Sequence, residues 1–295
     1  MKKIGFIGLG IMGRPMSMNL INAGYPLVAY DIMEGALSEV VRHGAKRGVS
    51  PKDVAENSDI IITMLPNSPD VKEVVMGKNG VIEGGKKGKI LVDMSSISPL
   101  VSREIAKEIE KKGVEMLDAP VSGGEEKAKA GKLAIMVGGK REVFEQCKEI
   151  LNIMGENVAL LGDIGAGQVT KLANQVIVAI NIAAVAESLV MAKKVGVNPE
   201  EIFQAIKGGL AGSQCLNDKA PRMFKGEYQP GFRMKLHVKD LSNAFETSRE
   251  FHLAMPLTAQ VMEMMQSLLA EGHEEIDHGG IALYYEKLNG VSLKD

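Results

Sequence analysis

Short apolar runs alternate with helix-length amphipathic segments through residues 1–163 of the chain. The runs predict strands at Ile4–Ile7, at Leu27–Tyr30 and at residues 59–65, 90–94, 114–120, 133–138 and 158–161. Runs that are apolar at every position are typical of parallel strands buried on both faces. Strands separated by helices in this way predict a doubly wound α/β domain.

The pattern changes after Gly162. Residues 167–195 form one long helical pattern, and Gly196 followed by Asn198-Pro199 indicates a stop and a new helix start. The rest of the chain has helical periodicity and little strand signal. We therefore predict an α/β domain over residues 1–163, an interdomain helix over 164–195, and an all-α domain over 196–295 that serves substrate binding or oligomerisation.

Composition excludes several classes of function. The chain has 295 residues, 45% of them hydrophobic, and a net charge of −2, so no bulk charge attracts nucleic acid or an anionic membrane. The most apolar stretch, residues 176–186, is interrupted by Asn181 and is shorter than the ~20 residues of a membrane span. We predict no nucleic-acid or membrane partner.

Cysteine and histidine usage bears on compartment and metals. Cys147 and Cys215 have no CxxC partners, and the start of the chain lacks a signal-peptide cleavage site, which together predict a cytoplasmic protein. His273 and His278 flank three acidic residues at a spacing that matches no helical ligand pair. We predict a solvated acidic loop there and no metal site.

The first strand runs directly into glycines with the spacing Gly8-x-Gly10-x-x-Gly13. Gly8 allows a tight turn, Gly10 lets a pyrophosphate approach the backbone, and Gly13 lets the next helix pack closely. The N–H groups of that helix N-terminus then face the phosphates. We predict a dinucleotide site of the Rossmann type; the alternative is an ordinary βαβ unit with a tight turn. The predicted cofactor-binding residues of the turn are Gly8, Leu9, Gly10, Ile11, Met12 and Gly13.

Asp31 ends the second strand, 18 positions after Gly13. A carboxylate at about this distance accepts hydrogen bonds from the adenosine ribose and repels a 2′-phosphate. No Arg follows within the next three residues, and Arg42 and Arg47 lie further along the chain. The sequence therefore favours NAD(H) over NADP(H).

Three segments could carry the chemistry beside a nicotinamide. Ser122-Gly123-Gly124 follows a strand and offers N–H and hydroxyl donors for a carboxylate; the alternative is a flexible turn. At the start of the long helix Lys171, Asn174 and Gln175 share one face, where an ammonium beside an amide can hold a substrate oxygen and protonate it. The alternative is a solvated lysine. The third candidate is His237-Val238-Lys239-Asp240 in the helical domain, with a surface charge pair between Lys239 and Asp240 as its alternative.

Together these motifs resemble the β-hydroxyacid dehydrogenase family, which includes 3-hydroxyisobutyrate dehydrogenase and 6-phosphogluconate dehydrogenase. The resemblance covers essentially the whole chain. It rests on residues 8–16, on residues 118–124 with 131 and 136–139 downstream, on residues 165–167 leading to Lys171, and on Lys239-Asp240. Residues 62–69, 171–179 and 208–213 resemble more closely a branch of the family that reduces short semialdehydes.

The resemblance implies a role for each matching residue. The catalytic lysine falls on Lys171, with Asn174 and Gln175 as amides that orient the substrate. Many family members carry Asn at both amide positions, so which amide contacts the substrate is open. The substrate carboxylate falls on Ser122, Gly123 and Gly124. The cofactor contacts fall on residues 8–13, Asp31, Leu65, Pro66, Ser96 and Lys239.

The implied activity is NADH-dependent reduction of a small carboxylate-bearing semialdehyde to a hydroxyacid by a homodimer or homotetramer. Another short β-hydroxyacid substrate, such as 3-hydroxyisobutyrate, fits the general motifs equally well. A non-catalytic dinucleotide-binding sensor is the alternative from a different class. Such a sensor would be expected to lack Lys171 or the Ser-Gly-Gly loop, and both are present.

Overall fold

The structure, a computed structural model, describes residues 1–294 and forms two compact units. The first is Met1–Lys171 and the second begins at Leu172, so the boundary falls inside a long helix. Residue 295, the end of the domain predicted over 196–295, lies outside the described residues.

The first unit contains one sheet with helices between its strands. The strands are β1 (Ile4–Ile7), β2 (Leu27–Tyr30), β3 (Lys46–Arg47), β4 (Ile60–Thr63), β5 (Ile90–Asp93), β6 (Glu115–Asp118), β7 (Val121–Ser122), β8 (Leu133–Gly139) and β9 (Gly155–Gly162). The helices are α1 (Gly13–Asn22), α2 (Glu34–Arg42), α3 (Pro51–Glu56), α4 (Ser68–Met76), α5 (Val81–Gly84), α6 (Pro99–Glu110), α7 (Gly124–Lys129) and α8 (Arg141–Met154).

The sheet order confirms the predicted doubly wound fold. The strands run β3-β2-β1-β4-β5-β6-β8-β7, with β9 paired to β8. All pairs from β3 to β6 are parallel. Strands β2 and β3 are added on one side of β1, and strands β4 to β6 on the other. Folds of this kind bind ligands at that switch point, between β1 and β4. The sequence did not predict β7, which pairs antiparallel with β8.

Apolar residues that alternate along each strand build two separate cores. Ile60 and Ile62 of β4 belong to a cluster on one face, whereas Ile61 belongs to a cluster on the other. The same division holds in β5, where Leu91 faces the opposite cluster from its neighbours. Burial on both faces explains why these strands are apolar at every position.

The second unit is helical, as predicted. Its helices follow α9 (Ala166–Lys194), which begins in the first unit: α10 (Pro199–Ile206), α11 (Gln214–Lys225), α12 (Met234–Glu250), α13 (Pro256–Ala270), a 3₁₀ helix (His278–Ile281) and α14 (Ala282–Asn289). Asn198 caps α10 by accepting a hydrogen bond from Glu200 N–H at 2.9 Å, which explains the predicted helix start. One isolated β-bridge, between Arg233 and Asp277, is the exception among its described residues.

Helix α9 is longer and more continuously apolar than residues 176–186 alone indicated. By length and composition it could cross a membrane, but half of its most apolar window is buried inside the structure. A core helix of a globular protein has the same properties, so length and composition alone are weak evidence for a membrane span.

Candidate active site

The turn after β1 shows which glycines the protein itself requires. Gly8 has a φ of +95°, and a Cβ there would lie 2.3 Å from the carbonyl oxygen of Met64. A Cβ on Gly13 would lie 1.9 Å from the carbonyl oxygen of Gly8. A Cβ on Gly10 would meet no described atom within 4 Å, so packing does not require glycine there. The open space at Gly10 is what an approaching pyrophosphate needs, and the turn therefore fits a bound dinucleotide.

Asp31 lies against this turn, at the end of β2. Its Oδ2 accepts a hydrogen bond from Leu9 N–H at 2.5 Å, and its Oδ1 accepts one from Met33 N–H at 2.7 Å. Each carboxylate oxygen has a further acceptor position, which fits a ribose hydroxyl. The first unit thus brings together two of the predicted cofactor elements.

Arg47, on β3, is already paired with an acid. Both terminal nitrogens of Arg47 donate to the Glu34 carboxylate, at 2.8 and 2.7 Å. These bonds lower the pKa of Glu34 to about 2. The charge of Arg47 is therefore compensated by the carboxylate of Glu34.

Leu65 and Ser96 are held at neighbouring strand ends. Leu65 N–H donates to Ser95 Oγ at 2.9 Å, which joins the loop after β4 to the loop after β5. The buried side chain of Gln168 brackets Ser96, because it donates to the Ser95 carbonyl at 2.8 Å and accepts from Ile97 N–H at 3.1 Å. The main chain is thereby held on both sides of Ser96. Pro66, which follows Leu65, is exposed.

Asp93 is a fully buried acid at the end of β5. Its Oδ1 accepts hydrogen bonds from Thr63 Oγ1 at 2.8 Å and from Ser95 N–H at 3.2 Å. Its Oδ2 has no hydrogen-bond partner among the described residues. Burial raises the pKa of Asp93 to about 6, with the neighbouring Asp118 adding to the rise.

Asp118 ends β6 and pairs in register with Asp93 of β5. Its side chain caps the start of α9, which lies about 50 residues later in the sequence. Its two oxygens accept from Gly165 N–H at 2.6 Å and from Gln168 N–H at 2.8 Å. Burial raises its pKa, and the two N–H groups oppose that rise. A Cβ on Gly167 would lie 2.2 Å from the Met136 carbonyl oxygen, so glycine lets the first turn of α9 approach the sheet. These contacts position the helix that carries Lys171.

The Ser-Gly-Gly segment joins a strand to a helix. Ser122 ends β7 and is half-buried, and Gly123 and Gly124 have φ values of +141° and +70°. Consecutive positive φ values turn the backbone sharply before α7. Ser122 is thus on a strand paired to β8 rather than in a flexible turn.

Lys171 lies on α9 and is 5% exposed, so it is not the solvated lysine of the alternative interpretation. Burying an ammonium is costly unless it has partners or a function. Asn174 and Gln175 follow on the same helix, one turn later, where Asn174 is half-buried and Gln175 buried.

Within the second unit the two amides and the Lys-Asp pair form one network. Asn174 Nδ2 donates to Gln175 Oε1 at 2.9 Å, and Gln175 Nε2 donates to Asp240 Oδ2 at 2.7 Å. Lys239 Nζ lies 3.0 Å from Asp240 Oδ1. Asp240 is 1% exposed, so the predicted alternative of a surface charge pair is wrong for the acid.

The acidic segment near the C-terminus differs from the predicted solvated loop. Asp277 and His278 are buried. Asp277 Oδ2 accepts from the N–H groups of Gly231 and Phe232 at 3.0 and 3.1 Å, and its Oδ1 pairs with Lys219 at 3.0 Å. Glu274 and Glu275 are exposed as predicted. The described residues contain no cluster of three or more potential metal ligands.

The sequence missed three positioning groups: Asp93, Asp118 and Gln168. Asp118 opens the strand-end motif of residues 118–124, and an acid at the end of an otherwise apolar strand is the signal that could have identified it. Gln168 gave no such signal, because its partners are more than 70 residues away in sequence.

Two models of known protein families together match most of the chain. The NAD-binding domain model of 6-phosphogluconate dehydrogenase matches residues 3–162. The model described as the NAD-binding part of NADP-dependent 3-hydroxyisobutyrate dehydrogenase matches residues 165–285.

Individual relatives are similar over the same length. The chain is 44% identical to the 2-hydroxy-3-oxopropionate reductase of Escherichia coli K12, over 99% of both chains. It is 38% identical to the mitochondrial 3-hydroxyisobutyrate dehydrogenase of Bos taurus, over 94% of this chain and 85% of the relative. A solved structure of Mycobacterium tuberculosis 3-hydroxyisobutyrate dehydrogenase with L-serine superposes with a TM-score of 0.90 at 30% identity, over 96% of this chain and 98% of the other.

Proposed function

This chain belongs to the β-hydroxyacid dehydrogenase family and is an oxidoreductase acting on CH–OH donors, and from this premise we propose that it reduces 2-hydroxy-3-oxopropionate (tartronate semialdehyde) to glycerate with NADH. Full-length similarity to the Escherichia coli reductase is the observation that supports this substrate. The open backbone at Gly10 and the carboxylate of Asp31 support the cofactor. A cytoplasmic location and a homodimer or homotetramer stay predictions.

In the proposed mechanism, bound NADH supplies the hydride that the aldehyde carbon receives. Lys171 donates a proton to the carbonyl oxygen as that oxygen gains negative charge, so the product is an alcohol. Ser122, Gly123 and Gly124 hold the substrate carboxylate through hydroxyl and N–H donors. An amide on α9 orients the substrate oxygen. In the reverse direction the same lysine accepts the proton.

Steady-state oxidation of NADH with a panel of short semialdehydes tests the substrate. We expect the highest kcat/KM for tartronate semialdehyde, above succinic semialdehyde and the semialdehyde that corresponds to 3-hydroxyisobutyrate. A higher value for either competitor would reassign the substrate within the family. NADH binding without turnover of any member would favour the sensor interpretation.

Replacement of Lys171 tests the mechanism. Lys171→Ala is expected to lower kcat by about 100-fold or more while NADH still binds, because acid–base help contributes about 10²–10⁴-fold. Lys194→Ala, at the exposed end of the same helix, is the matched control and should keep wild-type kcat. Turnover of Lys171→Ala at the control rate would remove this lysine from the mechanism.

A further inference from the structure

Helix α12 holds Gln175 at both its main chain and its side chain. His237 Nε2 lies 3.0 Å from the Gln175 carbonyl oxygen, and Asp240 Oδ2 lies 2.7 Å from Gln175 Nε2. His237 and Asp240 are three residues apart and therefore neighbours on one helix face. All three residues are at least 96% buried. Gln175 is thus fixed twice, by two residues of one helical turn.

The carboxylate of Asp240 sets which way the Gln175 amide points. A carboxylate only accepts hydrogen bonds, so the group that faces it must be the NH₂ of the amide. The amide oxygen of Gln175 then points the other way, toward Asn174. The chemistry of the two groups therefore fixes this orientation.

The orientation of the Gln175 amide in turn sets the orientation of the Asn174 amide. Gln175 Oε1 accepts one N–H of Asn174 at 2.9 Å, so the NH₂ of Asn174 faces Gln175. Asn174 keeps its second N–H as a donor and its Oδ1 as an acceptor, in a fixed orientation. Asn174 is half-buried, whereas Gln175 is 4% exposed and uses its oxygen and one of its N–H groups inside the protein.

We propose that Asp240 and Gln175 are positioning residues that set the amide orientation of Asn174, and that Asn174 is the amide that contacts the substrate oxygen. This inference rests on the proposed reductase function and answers which amide contacts substrate. A substrate carbonyl oxygen only accepts, and the second N–H of Asn174 supplies the donor. A glutamine at position 175 reaches the carboxylate of Asp240 while its oxygen still faces Asn174.

Other titratable and charged groups surround this network. Lys239 Nζ lies 3.0 Å from Asp240 Oδ1, and His237 precedes Asp240 by one turn. Because the Gln175 carbonyl only accepts, His237 donates from Nε2, and its Nδ1 faces His278 Nδ1 at 2.8 Å. A neutral His237 therefore accepts a hydrogen bond from His278.

The decisive experiment moves the carboxylate from position 240 to position 175. Asp240→Asn removes the acceptor-only group, so the Gln175 amide can turn over and present NH₂ to Asn174. Gln175→Glu instead places two carboxylates face to face. The double variant Gln175→Glu/Asp240→Asn restores the pattern of donors and acceptors among positions 174, 175 and 240 with the same net charge. We expect each single variant to lower kcat by about tenfold to 100-fold, as small misplacements in active sites do. We expect the double variant to return to within about threefold of wild type.

A pH profile adds a readout that a purely structural role would not give. In Gln175→Glu, protonation of one of the facing carboxylates recreates the original polarity, so kcat of this variant should rise as pH falls. The double variant has a single carboxylate and should not show that rise. Glu246→Gln, an acid-to-amide change at an exposed position of α12, is the control and should leave kcat unchanged.

The outcomes separate this inference from the substrate assignment. The variants are compared on whichever semialdehyde the wild type reduces fastest, so another preferred substrate overturns only the proposed reaction. Wild-type kcat in Asp240→Asn would overturn the positioning role, as would a double variant no faster than the slower single variant. If Asp240→Asn fails to fold, the pH profile of Gln175→Glu against the double variant decides the question.

Discussion

At the residue scale, glycines of one motif are required for different physical reasons. Packing and a positive φ explain Gly8, and contact with the carbonyl oxygen of Gly8 explains Gly13, whereas a Cβ on Gly10 would meet no described atom within 4 Å. Substitution should therefore separate stability from cofactor binding, as the different roles predicted for the three glycines imply.

Gly10→Ala should weaken NADH binding by about tenfold or more, a loss of about 1.4 kcal/mol, because a methyl group would keep the pyrophosphate off the backbone N–H groups. Its free energy of unfolding should stay near the wild-type value.

Gly13→Ala should instead lower the free energy of unfolding by about 1–3 kcal/mol through overpacking. Titration of NADH and urea unfolding measure both effects. Equal loss of stability in the two variants would contradict this division of roles.

The raised pKa of Asp93 leads to a second prediction at this scale, on how stability depends on pH. Burial raises the pKa of Asp93 from 3.8 to about 6, so between these values the folded chain holds a proton that the unfolded chain has released. The stability contributed by protonated Asp93 is complete below about pH 4 and is lost as pH rises through 6, amounting to about 3 kcal/mol.

Asp93→Asn removes this titration but keeps an oxygen for Thr63 and Ser95. The free energy of unfolding of the variant relative to wild type should therefore rise by up to about 3 kcal/mol between about pH 4 and pH 7. Urea unfolding at both pH values measures this difference. A difference that does not change with pH would show that Asp93 titrates normally in the folded protein.

At the element scale, the sequence predicted the helices and strands better than the contacts between them. Continuous apolar runs identified the central strands because both faces of the sheet are buried, and Asn198 identified the start of α10 because its cap is local. The two-residue strand β7 is too short for a pattern to emerge.

Contacts between distant residues could not be predicted. The cap of α9 joins Asp118 to Gly165 across 47 residues, and the network around Asn174 joins Gln175 to Asp240 across 65. Motif order placed Lys171 and Lys239-Asp240 as candidates, but only the folded chain shows that Asp240 reaches the amides and that Asp118 positions the helix of Lys171.

Removal of the α9 cap tests this long-range link. Asp118→Ala leaves two buried N–H groups without their acceptor, and should lower the free energy of unfolding by about 2–4 kcal/mol. Because the first turn of α9 then loses its anchor to the sheet, kcat should also fall. Asp163→Ala, an exposed acid beside the same helix start, should change stability by no more than about 0.5 kcal/mol. A stable Asp118→Ala protein would show that α9 is held by other contacts.

At the scale of the whole molecule, the choice of nicotinamide cofactor is a question of charge. The net charge of −2 gives no general attraction for phosphates, so discrimination depends on local groups. A 2′-phosphate beside the ribose would meet the carboxylate of Asp31, and Arg47 on β3 is already paired with Glu34.

We expect NADH to bind at least about tenfold more tightly than NADPH. A ligand that binds only the folded state stabilises it by about 2.7 kcal/mol at 100 times its Kd, so NADH should raise Tm more than NADPH at equal concentration. Asp31→Ser/Glu34→Gln removes two negative charges and releases Arg47 from its ion pair, and should reduce or reverse the preference. Glu83→Gln removes a carboxylate paired with Lys52 elsewhere in the first unit and should leave the preference unchanged. A preference for NADH that survives in the double variant would place the discrimination elsewhere in the protein.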